Sequence, residues 1–136
     1  MKKRIVRVTI MFCSIVLAGV AFAANASAQC SRETLQKLAD TYVQAQTSGK
    51  ATMLPLAANS SYAENDQKMD IAKGVLAGPL KFDFTRSFYD TTQCATFTEV
   101  VAATDPHPYV IHTRIEATDD GKASKMESVV RAPAGG

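Results

Sequence analysis

Two hydrophobic periods divide the chain. Between Ser31 and Gly49, apolar side chains recur at Leu35, Leu38, Ala39, Tyr42 and Val43, the spacing of one buried helical stripe. Ser31 offers an N-cap hydroxyl, Glu33 places an acid where the helix dipole favours one, and Gly49 is a natural stop. From Leu80 the period becomes two. Phe82, Phe84, Arg86 and Phe88 share one face, and Lys81, Asp83, Thr85 and Ser87 share the other, which predicts a half-buried strand. Between these stretches lie a short turn at Thr52–Ala57 broken by Pro55, an extended segment at Ser61–Asn65 and a second short helix at Asp70–Leu76, ended by Gly78-Pro79. A polar turn at Asp90–Cys94 follows the first strand. Further strands are expected at Ala95–Ala103, Tyr109–Thr118 and Lys122–Arg131, with a proline loop at Thr104–Pro108 and a hairpin signal at Asp119-Asp120-Gly121.

Helix, short strand, short helix and four consecutive strands predict an α+β fold. A curved antiparallel sheet wrapped round the N-terminal helices lets both bury their apolar faces. No repeat or linker interrupts residues 29–131, which read as one domain, and residues 132–136 read as a flexible tail.

Residues 1–28 follow a different rule. A basic start precedes the apolar run Val8–Ala23, and Ala26-Ser27-Ala28 sets small residues at the cleavage positions before Gln29, the pattern of a Sec signal peptide. The run falls short of the ~20 apolar residues a membrane span needs. Lys2, Lys3, Arg4 and Arg7 also account for the chain's formal charge of +2: of 15 basic residues 11 remain after them, against 13 acidic ones. That near-neutral remainder argues against a nucleic-acid groove and against a polybasic membrane anchor. The expected location is therefore the periplasm or the extracellular space, with no stable membrane anchor after cleavage. Of three cysteines, Cys13 leaves with the signal, so Cys30 and Cys94 are expected to form a disulfide.

The candidate chemistry is sparse. Arg86 interrupts the Phe82/Phe84/Phe88 face, so its guanidinium is expected to point into the apolar interior and to need a partner there. A register that sets Phe97 and Val101 inside places Glu99 opposite it; the alternative register offers Thr98. An arginine that orients a carbonyl beside a general-base carboxylate would suit acid–base catalysis, and a structural ion pair is the competing reading. Tyr62 and Glu64 share a strand face, so a phenol and a carboxylate can point into one pocket, or the Tyr hydroxyl can simply bond to Glu64 inside the core. His112, Arg114 and Glu116 alternate with Ile111, Thr113 and Ile115, which turns the polar set toward solvent or a partner; His112 is the reserve proton shuttle. Asp40, Asp90, Asn65 and His107 read as a solvated helix acid, a turn-former, a turn cap and a surface residue. The motifs G-x-S-x-G, H-E-x-x-H and the phosphate-binding glycine loops are absent, and two separated histidines make a poor zinc site.

The element order resembles the SnoaL-like, nuclear-transport-factor-2-like superfamily. Cys30-Ser31-Arg32, Tyr62-Ala63-Glu64-Asn65, the stretch from Arg86 through Asp90-Thr91-Thr92-Gln93-Cys94 to Glu99, Pro108-Tyr109-Val110-Ile111 and Asp120-Gly121-Lys122 look like a family of small secreted proteins of unknown function, known mostly from fungi and also from bacteria. The resemblance implies a cone-shaped fold with a pocket in its mouth and chemistry without cofactor or metal. The expectation is an exported lyase, dehydratase or isomerase that acts on a small apolar carbonyl or phenolic molecule. Tyr62, Glu64, Arg86, Glu99 and His112 would be its site. The alternative is a non-catalytic module of the same fold that binds a small molecule or dimerises through the sheet.

Overall fold

A computed structural model describes residues 30–104 and 108–132. Residues 1–29, which include the expected signal peptide, residues 105–107, which include His107, and residues 133–136 of the expected tail lie outside the described residues. Helix α1 spans Arg32–Ser48; Ser31 Oγ caps it by accepting the Thr34 N–H at 3.1 Å. Gly49 ends it at φ 64°, where a Cβ would stand 2.6 Å from the Pro79 nitrogen, so both conformation and close approach require glycine there.

Six strands form one sheet: β1 Leu56–Glu64, β2 Gln67–Met69, β3 Phe84–Asp90, β4 Ala95–Ala102, β5 Tyr109–Ala117 and β6 Ala123–Arg131, in the spatial order β2-β1-β6-β5-β4-β3. The α+β class holds, with two corrections. The sheet is mixed, because β6 ends the antiparallel meander with a free edge and β1 fills it in parallel. The second helix is two 3-10 turns, Ile71–Lys73 and Val75–Ala77, interrupted at Gly74 before either completes an α-helical register.

The core lies between α1 and one sheet face. Leu35, Leu38, Ala39, Tyr42 and Ala45 of α1 are buried against Thr98, Val100, Ile111, Thr113, Ile115 and Met126. Leu76 and Leu80 close one side from the connecting segment. Cys30 and Cys94 form the expected disulfide, which fastens the start of α1 to the β3–β4 turn.

The facing of β3 overturns an expectation. Phe84 and Phe88 turn outward, 48% and 52% exposed, and Phe97 is 40% exposed beside them. Only Phe82, which precedes the strand, packs against the core. The cause is a row of hydroxyls on the inner face. Ser87 bonds to Thr98 at 2.9 Å and Thr113 to Ser128 at 2.8 Å, while Tyr42 of α1 reaches Thr113 at 2.7 Å. These small polar side chains satisfy one another, so they can lie beneath the helix, and the aromatic residues take the other face.

Candidate functional site

The five candidate residues fall into two groups, on different faces of the sheet. Register fixes the outer group. Arg86, Glu99, His112 and Val129 form one cross-strand row, and Phe88, Phe97, Arg114 and Glu127 form the next. Glu99 therefore does lie opposite Arg86, and Arg86 Nη2 donates to Glu99 Oε2 at 2.8 Å. The pair is not interior, however. The Arg86 side chain is 56% exposed, because the face it shares with Phe84 and Phe88 is the outer one. Its guanidinium lies over both rings, 5.9 Å from the Phe84 centroid and 5.1 Å from that of Phe88. His112 stacks on Phe97 at 5.7 Å, and its Nδ1 is buried with no hydrogen-bond partner among the described residues. As expected, Ile111, Thr113 and Ile115 face inward while Arg114 pairs with Glu116 on the outside. A cleft of about 270 Å³ opens between Phe88, Phe97, Gln93 and Arg114.

The inner group is a latch. The Tyr62 hydroxyl donates to Glu64 Oε2 at 2.7 Å, and the Val75 N–H donates to the same oxygen at 2.7 Å. Burial of Tyr62, followed by its hydrogen bond to Glu64, pushes the phenol far above the ordinary tyrosine range, while Ser128 contacts it in the opposite sense. Tyr42, Thr113, Ser128, Tyr62 and Glu64 thus form a chain of polar contacts through the core. A Cβ on Gly74 would stand 2.6 Å from both Glu64 Oε2 and the Tyr62 ring. The segment from Asp70 to Leu80 is pinned again by Gln46, whose Nε2 donates to the Val75 and Gly78 carbonyls at 2.8 and 3.1 Å. Tyr62 donates its hydroxyl hydrogen bond to the same Glu64 oxygen that accepts the Val75 N–H of this segment.

Sequence patterning did not single out Gln46 or Ser128, and it placed Thr113 on the inner face without its hydrogen bonds. Gln46 stands four residues after Tyr42, in phase with the apolar stripe, and Thr113 stands between two buried isoleucines; those phases are the signal. Asp90 is a turn-former as expected, its Oδ1 accepting the Thr92 and Gln93 N–H groups. Asn65 pairs with the backbone of Val130 through both side-chain atoms. Among the described residues, the one grouping of metal-ligating side chains is Cys30, Cys94 and Asp119, and its two sulfurs are committed to the disulfide. No described helix is long and apolar enough to cross a membrane.

No protein-family model matches the sequence, and no curated protein matches it. Among solved structures, PrhC from Penicillium brasilianum NBRC 6234 is similar with a TM-score of 0.49 at 10% sequence identity, covering 74% of this chain and 82% of that one.

Proposed function

We propose that the protein is an exported interaction module of SnoaL-like, nuclear-transport-factor-2-like shape, which pairs with a second copy of itself through the outer face of β3–β6. One observation carries this reading: Phe84, Phe88 and Phe97, 40–52% exposed, lie on neighbouring strands of that face, and Val129, 51% exposed, lies on the same face across β5. Contiguous apolar patches on a soluble domain mark binding surfaces. Opposite charges interleave with them, and their register suits self-pairing. A two-fold axis running along the strands between β4 and β5 sets each row against itself, so that Glu99 meets His112 of the other copy and Phe97 meets its Arg114.

The test is the mass of the exported, disulfide-bonded protein in solution, by light scattering after gel filtration. The expected result is a dimer that becomes a monomer in Phe88→Asp/Phe97→Asp with an unchanged circular dichroism spectrum. A wild-type monomer at micromolar concentration overturns the reading.

A catalytic reading, cofactor-free lyase, dehydratase or isomerase chemistry on a small carbonyl or phenolic molecule, is favoured by the Tyr62–Glu64 contact alone. Turnover that survives in Tyr62→Phe would remove its one support.

A further inference from the structure

The pairing of β1 with β6 is interrupted between Leu56 and Ser61, and we infer that the interruption is a binding site for a small neutral phenol. Leu56 pairs with Ala123 and Ser61 with Lys125, so β1 advances five residues while β6 advances two. The surplus chain stands away from the sheet as a bulge, a device that often re-aims side chains beside binding sites. Beneath it lies a cavity of about 250 Å³. No α1 residue lines it, so it is separate from the space under the helix.

The lining specifies the ligand. Tyr62 forms part of the wall, and its hydroxyl is engaged with Glu64, so the ring surface is what it offers. Met69 and Met126 add two thioethers, and Leu56 and Ile71 add aliphatic surface. Aromatic rings and thioether sulfurs both favour a guest ring. The volume lies just below the ~300 Å³ at which pockets for drug-sized ligands begin, which suits a single ring. Polar groups gather at Ser60, Ser61 and Asp70. Neither serine hydroxyl makes a hydrogen bond within the described residues, and Asp70 spends Oδ1 on the Ala72 N–H. These are acceptors for one hydroxyl donor. The Asp70 carboxylate opposes an anionic guest. The apolar walls at Leu56, Met69, Ile71 and Met126 oppose a cationic one, whose charge they cannot solvate. A neutral ring bearing one hydroxyl satisfies the whole lining.

The probe is 4-methylphenol, and the reporter is the set of methionine methyl groups, since Met53, Met69 and Met126 are the only methionines after residue 28. With 13C-methyl labelling of the exported protein, titration is expected to shift Met69 and Met126 to saturation and to leave Met53, which does not line the cavity, unmoved. Filling the cavity by Ile71→Phe is expected to weaken binding at least tenfold. Ser60→Phe, at an exposed position, is the second variant should Ile71→Phe lose its fold. Absence of saturable shifts, equal movement of Met53, or unchanged affinity in the filled variant overturns the site. Equal binding of 4-methylbenzoate or 4-methylbenzylammonium overturns the ligand class. The Phe88→Asp/Phe97→Asp protein is expected to bind as the wild type does, so this site and the sheet-face pairing stand or fall separately.

Discussion

Glu99 and Arg86 face each other across β3 and β4, joined at 2.8 Å on the open side of the sheet. Water screens a pair whose arginine is 56% exposed, and such pairs contribute ~0–1 kcal/mol. Arg86→Ala in the monomeric Phe88→Asp/Phe97→Asp background should therefore lower the unfolding free energy by less than ~1 kcal/mol in a urea titration. A loss of ~3–5 kcal/mol, the signature of an uncompensated buried charge, would contradict the outward facing of the strand.

Gly74 is the tight point of the inner latch. Gly74→Ala drives a methyl into Glu64 and the Tyr62 ring at 2.6 Å, and overpacking of this kind costs ~1–3 kcal/mol. Tyr62→Phe keeps the ring and removes one of the two donors to Glu64 Oε2, at ~1–2 kcal/mol. Both should appear as lower midpoints with an unchanged denaturant slope.

The tyrosines divide in alkaline titration. Burial holds Tyr42 and Tyr62 above the ordinary phenol value, in Tyr42 against the opposing pull of Thr113 and in Tyr62 with the added push of Glu64. Tyr42 and Tyr62 should remain neutral in the folded protein at a pH that ionises them in the unfolded chain, which absorbance at 295 nm before and after denaturation reads directly. The stability sign follows. The unfolded chain releases both protons near pH ~10, the folded one only higher, so this contribution is complete below pH ~10 and is lost as pH rises beyond it. Equal stability at pH 9 and pH 11 would contradict the assignment.

Cys30 and Cys94 are 64 residues apart, and closing a loop of that length stabilises a fold by ~4 kcal/mol in the chain-entropy picture. Cys30→Ser/Cys94→Ser should melt well below the wild type. Hydrogen exchange should rise first in the opening turn of α1, which the bridge holds to the β3–β4 turn.

Periodicity made most of the fold legible. The stripe from Leu35 to Val43 located α1, and the strand signals located β4 to β6 within a residue or two, while β3 begins at Phe84, four residues after the period-two pattern starts at Leu80. It also set Arg86 opposite Glu99, although for a reason the structure reverses, since Phe97 lies outside. Alternation names two faces without saying which one meets the helix. Hydropathy chose the phenylalanines; the structure chose Ser87, Thr98, Thr113 and Ser128, whose mutual hydrogen bonds span four separate strands and leave no local trace. The length and direction of β1 were hidden for a related reason: its partner is β6, far along the chain, and the stretch Leu56–Ser60 carries no alternation of its own.

That parallel pairing governs the order in which the molecule can assemble. Strands β3 to β6 are joined in sequence by turns and can close as neighbouring hairpins, each at small loop entropy. β1 can form a local hairpin with β2, but it cannot join the rest of the sheet until β6 exists, because Tyr62 must find Met126 and Glu64 must find Ser128. A ribosome delivers α1 and β1 first, so the earliest segments of the chain are the last to acquire their partners. The slow event in folding is then the docking of the N-terminal third onto a finished meander, and substitutions at the β1–β6 seam should retard refolding more than equally destabilising ones within the β4–β5 hairpin.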